Sequence, residues 1–374
     1  MSEPANRLYT LPLHHFKSYL DLEKWNLVNE NERWIVYEDD DAIELAIPKK
    51  RKASDFTMYV DHMLKILSFA QDKEPNIVAD DILTFDLDVM GTIFDNSEGA
   101  KSISMRSADA YFSELKQLLM YSASSEEKRE PCFKTALQKA RKVLDHFQFG
   151  HTVQGSFGYR IESKIKADSL VQYVMFADDP EPIIPHERKV MQRIYNGLAA
   201  TDRAVDTGDL SLLTEGFDSG FNANMCTALL NMAGDRREPI EYSFKWSRKI
   251  DVPDEMAGTP KIVVKRDHLE YLEEASEYLY FQHPEHTDII GLVNDLSIKN
   301  SPNSGEIGTG AITIERLTPE GRTQKVHTVV DGTSHLNAID AYKARSTVGI
   351  KGNLVYKQSK WRLTNPEELR IVST

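Results

Sequence analysis

Asp86 and Asp88 stand two residues apart in TFDLDVMGTIF, with Gly91 and Thr92 close behind. Carboxylates at that spacing on a strand point to one face, where they can hold Mg²⁺ for phosphoryl chemistry. A threonine directly after the pair would complete a phosphate cradle, but Val89 and Met90 intervene and carry Thr92 away. A second acidic pair, Asp178 and Asp179, lies downstream in FADDPE. The chain between the two pairs does not alternate strand and helix as a doubly wound sheet requires. The first reading is therefore an ordinary strand end, and a Mg²⁺-dependent phosphoesterase using Asp86 and Asp88 is the alternative.

The remaining catalytic patterns fail on spacing. His283, Glu285, His286 and Asp288 cluster in HPEHTD, but Pro284 opposes the helical turn that would align the two histidines on a metal. That segment reads as a polar linker. His151 and His327 each open a His-Thr-Val triplet, in which the threonine points to the opposite face of a strand from the histidine. In Gly216 to Gly220 the serine, Ser219, comes one place late for a nucleophile elbow. The Asp41 and Glu44 strand has Ala46 where a nuclease needs lysine. These failures predict a protein without catalytic residues, metal or cofactor, and lean away from an enzyme.

Two segments are suited to binding. In GSFGYRIES, Gly155 and Gly158 free backbone amides to approach a phosphate, with Arg160 beside them. A glycine-bent strand at a sheet corner is the competing reading. Near the C-terminus, Lys351, Tyr356, Lys357, Lys360, Trp361 and Arg362 interleave aromatics with cations, as a single-stranded nucleic-acid face does. The competing reading there is an adaptor whose Trp361 plugs a barrel.

The elements that must position these residues follow from hydrophobic period and turn signals. A helix is predicted over about 13–27, then strands in NERWIVYE and AIELAIP, then a helix capped by Ser54. DDILTFDLDVMGTIF reads as a strand. Helices are predicted over 107–123, 133–147, 185–204, 224–232 and 267–280, with strands in HTVQGSFGYRIESKI, EYSFKWS and KIVVKRD. The last ninety residues read as three strands, a helix and two strands, the order of an OB-type barrel, with Gly291 at its sharpest bend. A small antiparallel sandwich is the alternative. The fold class is α+β in three units: an α-β-β-α module over 1–95, a helical and antiparallel-sheet middle over 96–284, and an OB-like barrel over 285–374.

At 374 residues, with 41% hydrophobic and 28% charged side chains, the chain has a globular composition and room for more than one core. Two cysteines, no run of about 20 apolar residues and no basic, apolar leader predict a cytoplasmic protein without a membrane span. The net charge of −13 argues against the whole surface gripping nucleic acid. It is unevenly spread, because residues 285–374 carry +1 and the first 284 carry −14. That contrast assigns nucleic acid to the C-terminal unit and a protein partner to the acidic body.

The layout of the first 60 or so residues resembles small α-β-β-β-α modules such as the HicA-type RNA-binding fold, without its histidine at a matching place. Tyr19, Leu20 and Trp25, GHTVQGSFGYRIES from Gly150, FNANMCTALLNM from Phe221 and VGIKGNL from Val348 together resemble a family of uncharacterised bacterial proteins. The resemblance implies a prokaryotic source and no particular activity, with a place among mobile or phage-defence genes as an alternative. The expected function is thus a non-enzymatic interaction protein, an accessory subunit of a bacterial complex; a purely structural adaptor is a further alternative.

Overall fold

A computed structural model describes residues 8–50, 56–94, 104–150, 158–165, 184–234, 236–258, 260–282, 285–298, 309–318, 323–357 and 360–372. It is a mixed α+β structure with three separate sheets. No helix among the described residues is long and apolar enough to cross a membrane.

The first sheet is a meander of β1 (Asn26–Glu30), β2 (Trp34–Glu38) and β3 (Glu44–Pro48). Side-chain acceptors shape both its turns: Asn31 accepts from the Arg33 and Trp34 amides at 2.9 Å, and Asp39 from Ile43 at 2.8 Å. Helix α1 (Leu13–Leu22) and helices α2 (Phe56–Ala70) and α3 (Pro75–Thr84) close a core around Phe16, Leu20, Ile35, Leu45, Leu64 and Ile82. The helix predicted to run on to residue 27 stops at Leu22, because Lys24 takes a left-handed φ of 62° and turns the chain into β1. Every residue of β1 is exposed, so no alternation betrays it. Residues 80–84, predicted as part of a strand, belong to the helix Pro75–Thr84: Pro75 supplies the first turn, and Val78, Ala79, Ile82 and Leu83 fall on one buried stripe.

The second sheet has the order β5-β6-β4-β7-β8, all antiparallel, from β4 (Leu87–Phe94), β5 (Phe147–Phe149), β6 (Gly158–Lys164), β7 (Ile240–Lys245) and β8 (Lys261–Val264). β4, grouped by the sequence with the first module, is the central strand of this sheet and bonds to β6 and β7. Helices α4 (Met105–Glu127), α5 (His186–Thr207), α6 (Ala223–Ala233) and α7 (Arg266–Gln282) share a core with one face of the sheet, through Met90, Phe94, Leu118, Ile194, Leu229 and Phe244. Gly197 on α5 is needed there, since a Cβ would lie 2.2 Å from the Phe221 ring. The helix predicted over 133–147 is reduced to a turn of helix at 138–141 and a tighter one at 142–146. Tertiary bonds hold its first residues extended: Asn224 accepts from the Phe133 amide at 2.7 Å and donates to its carbonyl at 2.9 Å.

The opposite face of this sheet is polar, and the first unit docks on it. Asp80 of α3 meets Lys245 at 2.6 Å and Arg160 at 3.1 Å, while Asp81 meets Lys245 and Lys73 at 2.8 Å. Burial opposes ionisation of Asp80, but Lys245 and Arg160 outweigh it and hold the carboxyl below its ordinary value.

The third sheet is a ring. β9 (Glu285–Ile298), β10 (Gly310–Leu317), β11 (Thr323–Val330), β13 (Lys360–Thr364) and β12 (Thr347–Lys357) bond in that order, and β12 returns to β9. Every pairing is antiparallel except β11 with β13. Helix α8 (Gly332–Ala344) lies between β11 and β12 in sequence, capped by Asp331 accepting from the Ser334 amide at 2.8 Å. β14 (Arg370–Val372) extends β12. Ile289, Val293, Ile312, Ile314, Val326, Ile350 and Leu363 fill the interior. Gly291 sits where β9 changes partner from β12 to β10, with the Glu315 carbonyl oxygen 2.2 Å from where a Cβ would stand. HPEHTD is a correction to the linker reading: Glu285 onward is the first strand of the ring, while His283 and Pro284 lie outside the described residues.

Candidate functional site

Strand alternation builds a cationic patch on the outside of the ring. With Val326 and Leu363 in its core, the intervening His327 and Arg362 face outward, and the pairing registers place them side by side. The row continues through Thr313 on β10 to Asp295 on β9. His327 Nδ1 and the Thr313 hydroxyl are 2.9 Å apart. Partial burial, then Lys360 and Arg362, and to a lesser degree Lys325, press the His327 pKa below its ordinary value. Three cations thus surround one imidazole, with Lys325 and Lys360 exposed and Arg362 half-buried. Lys325 escaped the sequence reading and His327 entered it only in the rejected His-Thr-Val pattern, although the alternation in QKVHTVV would have put both on the side of Arg362.

Trp361 belongs to a different surface. It is half-buried against the body of the protein, edge-on to Tyr280 of α7 with ring centroids 5.0 Å apart. It packs on the seam and lies one residue out of phase with the two cations that flank it. Lys351 is exposed on β12 opposite Asp288, which Arg370 already engages. Tyr356 and Lys357 end β12, with backbones in register with Trp361 and Lys360. Of the six residues expected to form one face, Lys360 and Arg362 thus share the outer patch and Trp361 does not.

The glycine segment is placed in part, since Gly155 lies outside the described residues. Gly158 begins β6, opposite Ile93. Arg160 is bound by two carboxylates, Asp80 at 3.1 Å and Glu162 at 2.9 Å, which oppose its charge and leave it docking the first unit.

Asp86 and Asp88 do not converge. Asp88 is wholly buried on the helix side of β4, where one oxygen meets Arg188 at 2.7 Å and the other accepts from the Ser247 amide at 2.9 Å. Arg188 is equally buried; it also donates to the carbonyls of Ser247 and Ile250 and lies over Trp246. Burial pushes the Asp88 carboxyl up against the pull of that cation. Asp86, in the turn before β4, faces a small cleft with His14 and His15, 3.2 Å from Lys164 and 3.9 Å from Lys249. With their oxygens committed to cations in separate places, the two carboxylates share no metal position. Among the described residues no three His, Cys, Asp or Glu side chains are grouped to hold a metal ion. Asp178, Asp179 and His151 lie outside the described residues. Cys226 is buried among apolar side chains, which pushes its thiol up to about 12.

A scan against protein-family models gives no match, and searches of curated proteins and of solved structures find no similar chain.

Proposed function

We propose that the C-terminal ring is an OB-type barrel and that the protein binds single-stranded nucleic acid on its outer face. In this reading the chain is a multi-domain interaction protein without catalysis, and its acidic body engages a protein partner in a larger bacterial assembly. The observation that carries the reading is the order of ring closure. Three meander strands, a helix, and two strands that close with β13 parallel to β11 make the arrangement in which OB barrels present their second and third strands to oligonucleotides. Here the second and third strands are β10 and β11, and the patch of Lys325, His327, Lys360 and Arg362 lies on and beside them.

Phosphate contacts supply most of such affinity and make it salt-dependent. Three cations engaging a single strand give a slope of about −2 in log affinity against log salt, or about a 20-fold loss between about 50 and 200 mM. The test is fluorescence anisotropy of the full chain with labelled single- and double-stranded oligonucleotides across that range, repeated with Lys360→Gln/Arg362→Gln. The expected result is single-strand preference, with a slope that flattens by about 1.4 in the variant. No binding, or binding that neither salt nor the variant changes, refutes the proposal.

A further inference from the structure

Three distant stretches of chain meet in a cleft of about 270 Å³ between the first unit and the second sheet. Helix α1 supplies His14, His15 and Ser18, the turn before β4 supplies Asp86, and Lys164 and Lys249 come from the ends of β6 and β7. We infer that this cleft binds a small anion bearing hydroxyl groups, a hydroxycarboxylate or a polyol phosphate. None of these residues belongs to the ring or to its outer patch. The volume falls just under the roughly 300 Å³ at which ligand pockets usually begin, which keeps the occupant small.

The charge in the cleft runs against that of the chain. Lys164 Nζ lies 3.2 Å and Lys249 Nζ 3.9 Å from the same oxygen of Asp86, Oδ2. Two ammonium groups against one carboxylate leave a surplus of one positive charge, in a protein whose net charge is −13. Asp86 is 4% exposed, and Lys249 is held over the Phe85 ring while donating to the Ile165 carbonyl at 3.4 Å. Set back from solvent, that surplus is screened less than a surface charge and favours an anion.

The hydrogen-bonding groups call for donors. His15 is 8% exposed, and its Nε2 lies 2.7 Å from the Ile82 carbonyl, which can only accept. Nε2 therefore carries the proton. Burial above all lowers the His15 pKa below its ordinary 6.5, so at neutral pH the ring is uncharged and Nδ1 is an acceptor. Among the described residues nothing donates to Nδ1 or to Asp86 Oδ1. Two acceptors beside two cations complement a molecule that brings hydroxyl donors and one negative charge. An α-amino acid brings donors but no net charge, and leaves the surplus uncompensated.

The floor is preformed. The Ile165 amide donates to the Asp86 carbonyl at 2.8 Å, and the Arg248 amide to the Phe85 carbonyl at 2.9 Å. Because α1 belongs to the first unit and the lysines to the second sheet, an occupant fastens one to the other.

Glycerate, glycerol 3-phosphate, serine and glycerol are titrated into the full chain by calorimetry. At least one of the two hydroxylated anions is expected to bind, about tenfold more tightly than serine or glycerol, which lack the net charge. The tighter of the two assigns a carboxylate or a phosphate as the anionic group. Lys164→Gln is expected to weaken that binding about fivefold, and to fold as the parent does, because the side chain is 62% exposed. On addition of the bound anion, the ring resonances of His15 are expected to shift by NMR. Shifts at His327 without His15 would assign the molecule to the outer patch and overturn the inference. Lys360→Gln/Arg362→Gln leaves the binding unchanged, so failure of the nucleic-acid reading does not disturb this one. Binding by neither anion at about 1 mM, equal binding by serine or glycerol, or full affinity in Lys164→Gln also overturns it.

Discussion

Removing one member of the Asp88–Arg188 pair tests what those residues are for. Both are fully buried, and among the described residues each is the other's only ion-pair partner. Deleting one member of such a pair leaves an uncompensated charge and typically costs about 3–5 kcal/mol. Asp88→Asn preserves shape and can still accept from the Ser247 amide, so it belongs near 3 kcal/mol on that scale. Arg188→Met also strands the carbonyls of Ser247 and Ile250 and uncovers Trp246, which places it near 5 kcal/mol. The double variant is expected to cost about 2–3 kcal/mol less than the sum of the singles, because the second change removes the charge stranded by the first. In a cooperative unit of this size the single losses lower the melting midpoint by about 10 °C, readable by calorimetry with and without Mg²⁺. A metal site at Asp88 would behave differently: Mg²⁺ would raise the parent midpoint and lose that effect in Asp88→Asn. That outcome, or an Asp88→Asn change below about 1 kcal/mol, refutes the structural role.

Three further expectations follow from the ring and the docking face. His327 starts below its ordinary value of 6.5 because of burial and the cations around it, so a bound polyanion raises its pKa. Oligonucleotide affinity should therefore increase as pH falls through the window below 6.5, together with an upward-shifted His327 titration by NMR; a pH-independent affinity counts against contact at this patch. Gly291→Ala brings a Cβ against the Glu315 carbonyl, and the expected result is loss of amide-exchange protection in β9 and β10 with the first core intact. Retained protection would show that the β9 bend does not depend on glycine. Asp80 is held below its ordinary 3.8, so its contribution is complete above that pH and disappears as pH falls through the depressed value. Asp80→Asn should expose α3 to exchange at neutral pH, as acid does to the parent; equal protection in both would remove Asp80 from the docking contact.

What was legible in the residues was what repeats. Helices α4 to α7 and the strands of the ring carry their period openly: Val190, Ile194 and Leu198 recur at helical spacing, and Val326, Thr328 and Val330 alternate inward. What was hidden depends on a single backbone state or on remote partners. β1 shows no alternation because neither of its faces is covered, and α3 was absorbed into the apolar run that leads into β4. The stretch 133–137 has helical spacing, but Asn224, ninety-one residues away, takes its hydrogen bonds. The candidate site divides in the same way. Lys360 and Arg362 share one side of β13 by simple alternation, whereas the position of Trp361 was decided by Tyr280 on another element. The pairing of Asp88 with Arg188 spans one hundred residues, and no local pattern announces it.

The place of β4 at the centre of the second sheet has a consequence for how the chain is made. Its hydrogen-bonding edges are claimed by β6 and by β7, whose last residue, Lys245, is translated long after Phe94. At about 5–20 residues per second, β4 waits roughly 8–30 s on the ribosome before its second neighbour exists. Throughout that interval an apolar strand with an open edge hangs from an N-terminal unit whose own core is already complete. The nascent chain therefore needs a companion more than the finished protein does. Slowing translation between β6 and β7 should raise the aggregated fraction without altering the stability of the molecules that escape.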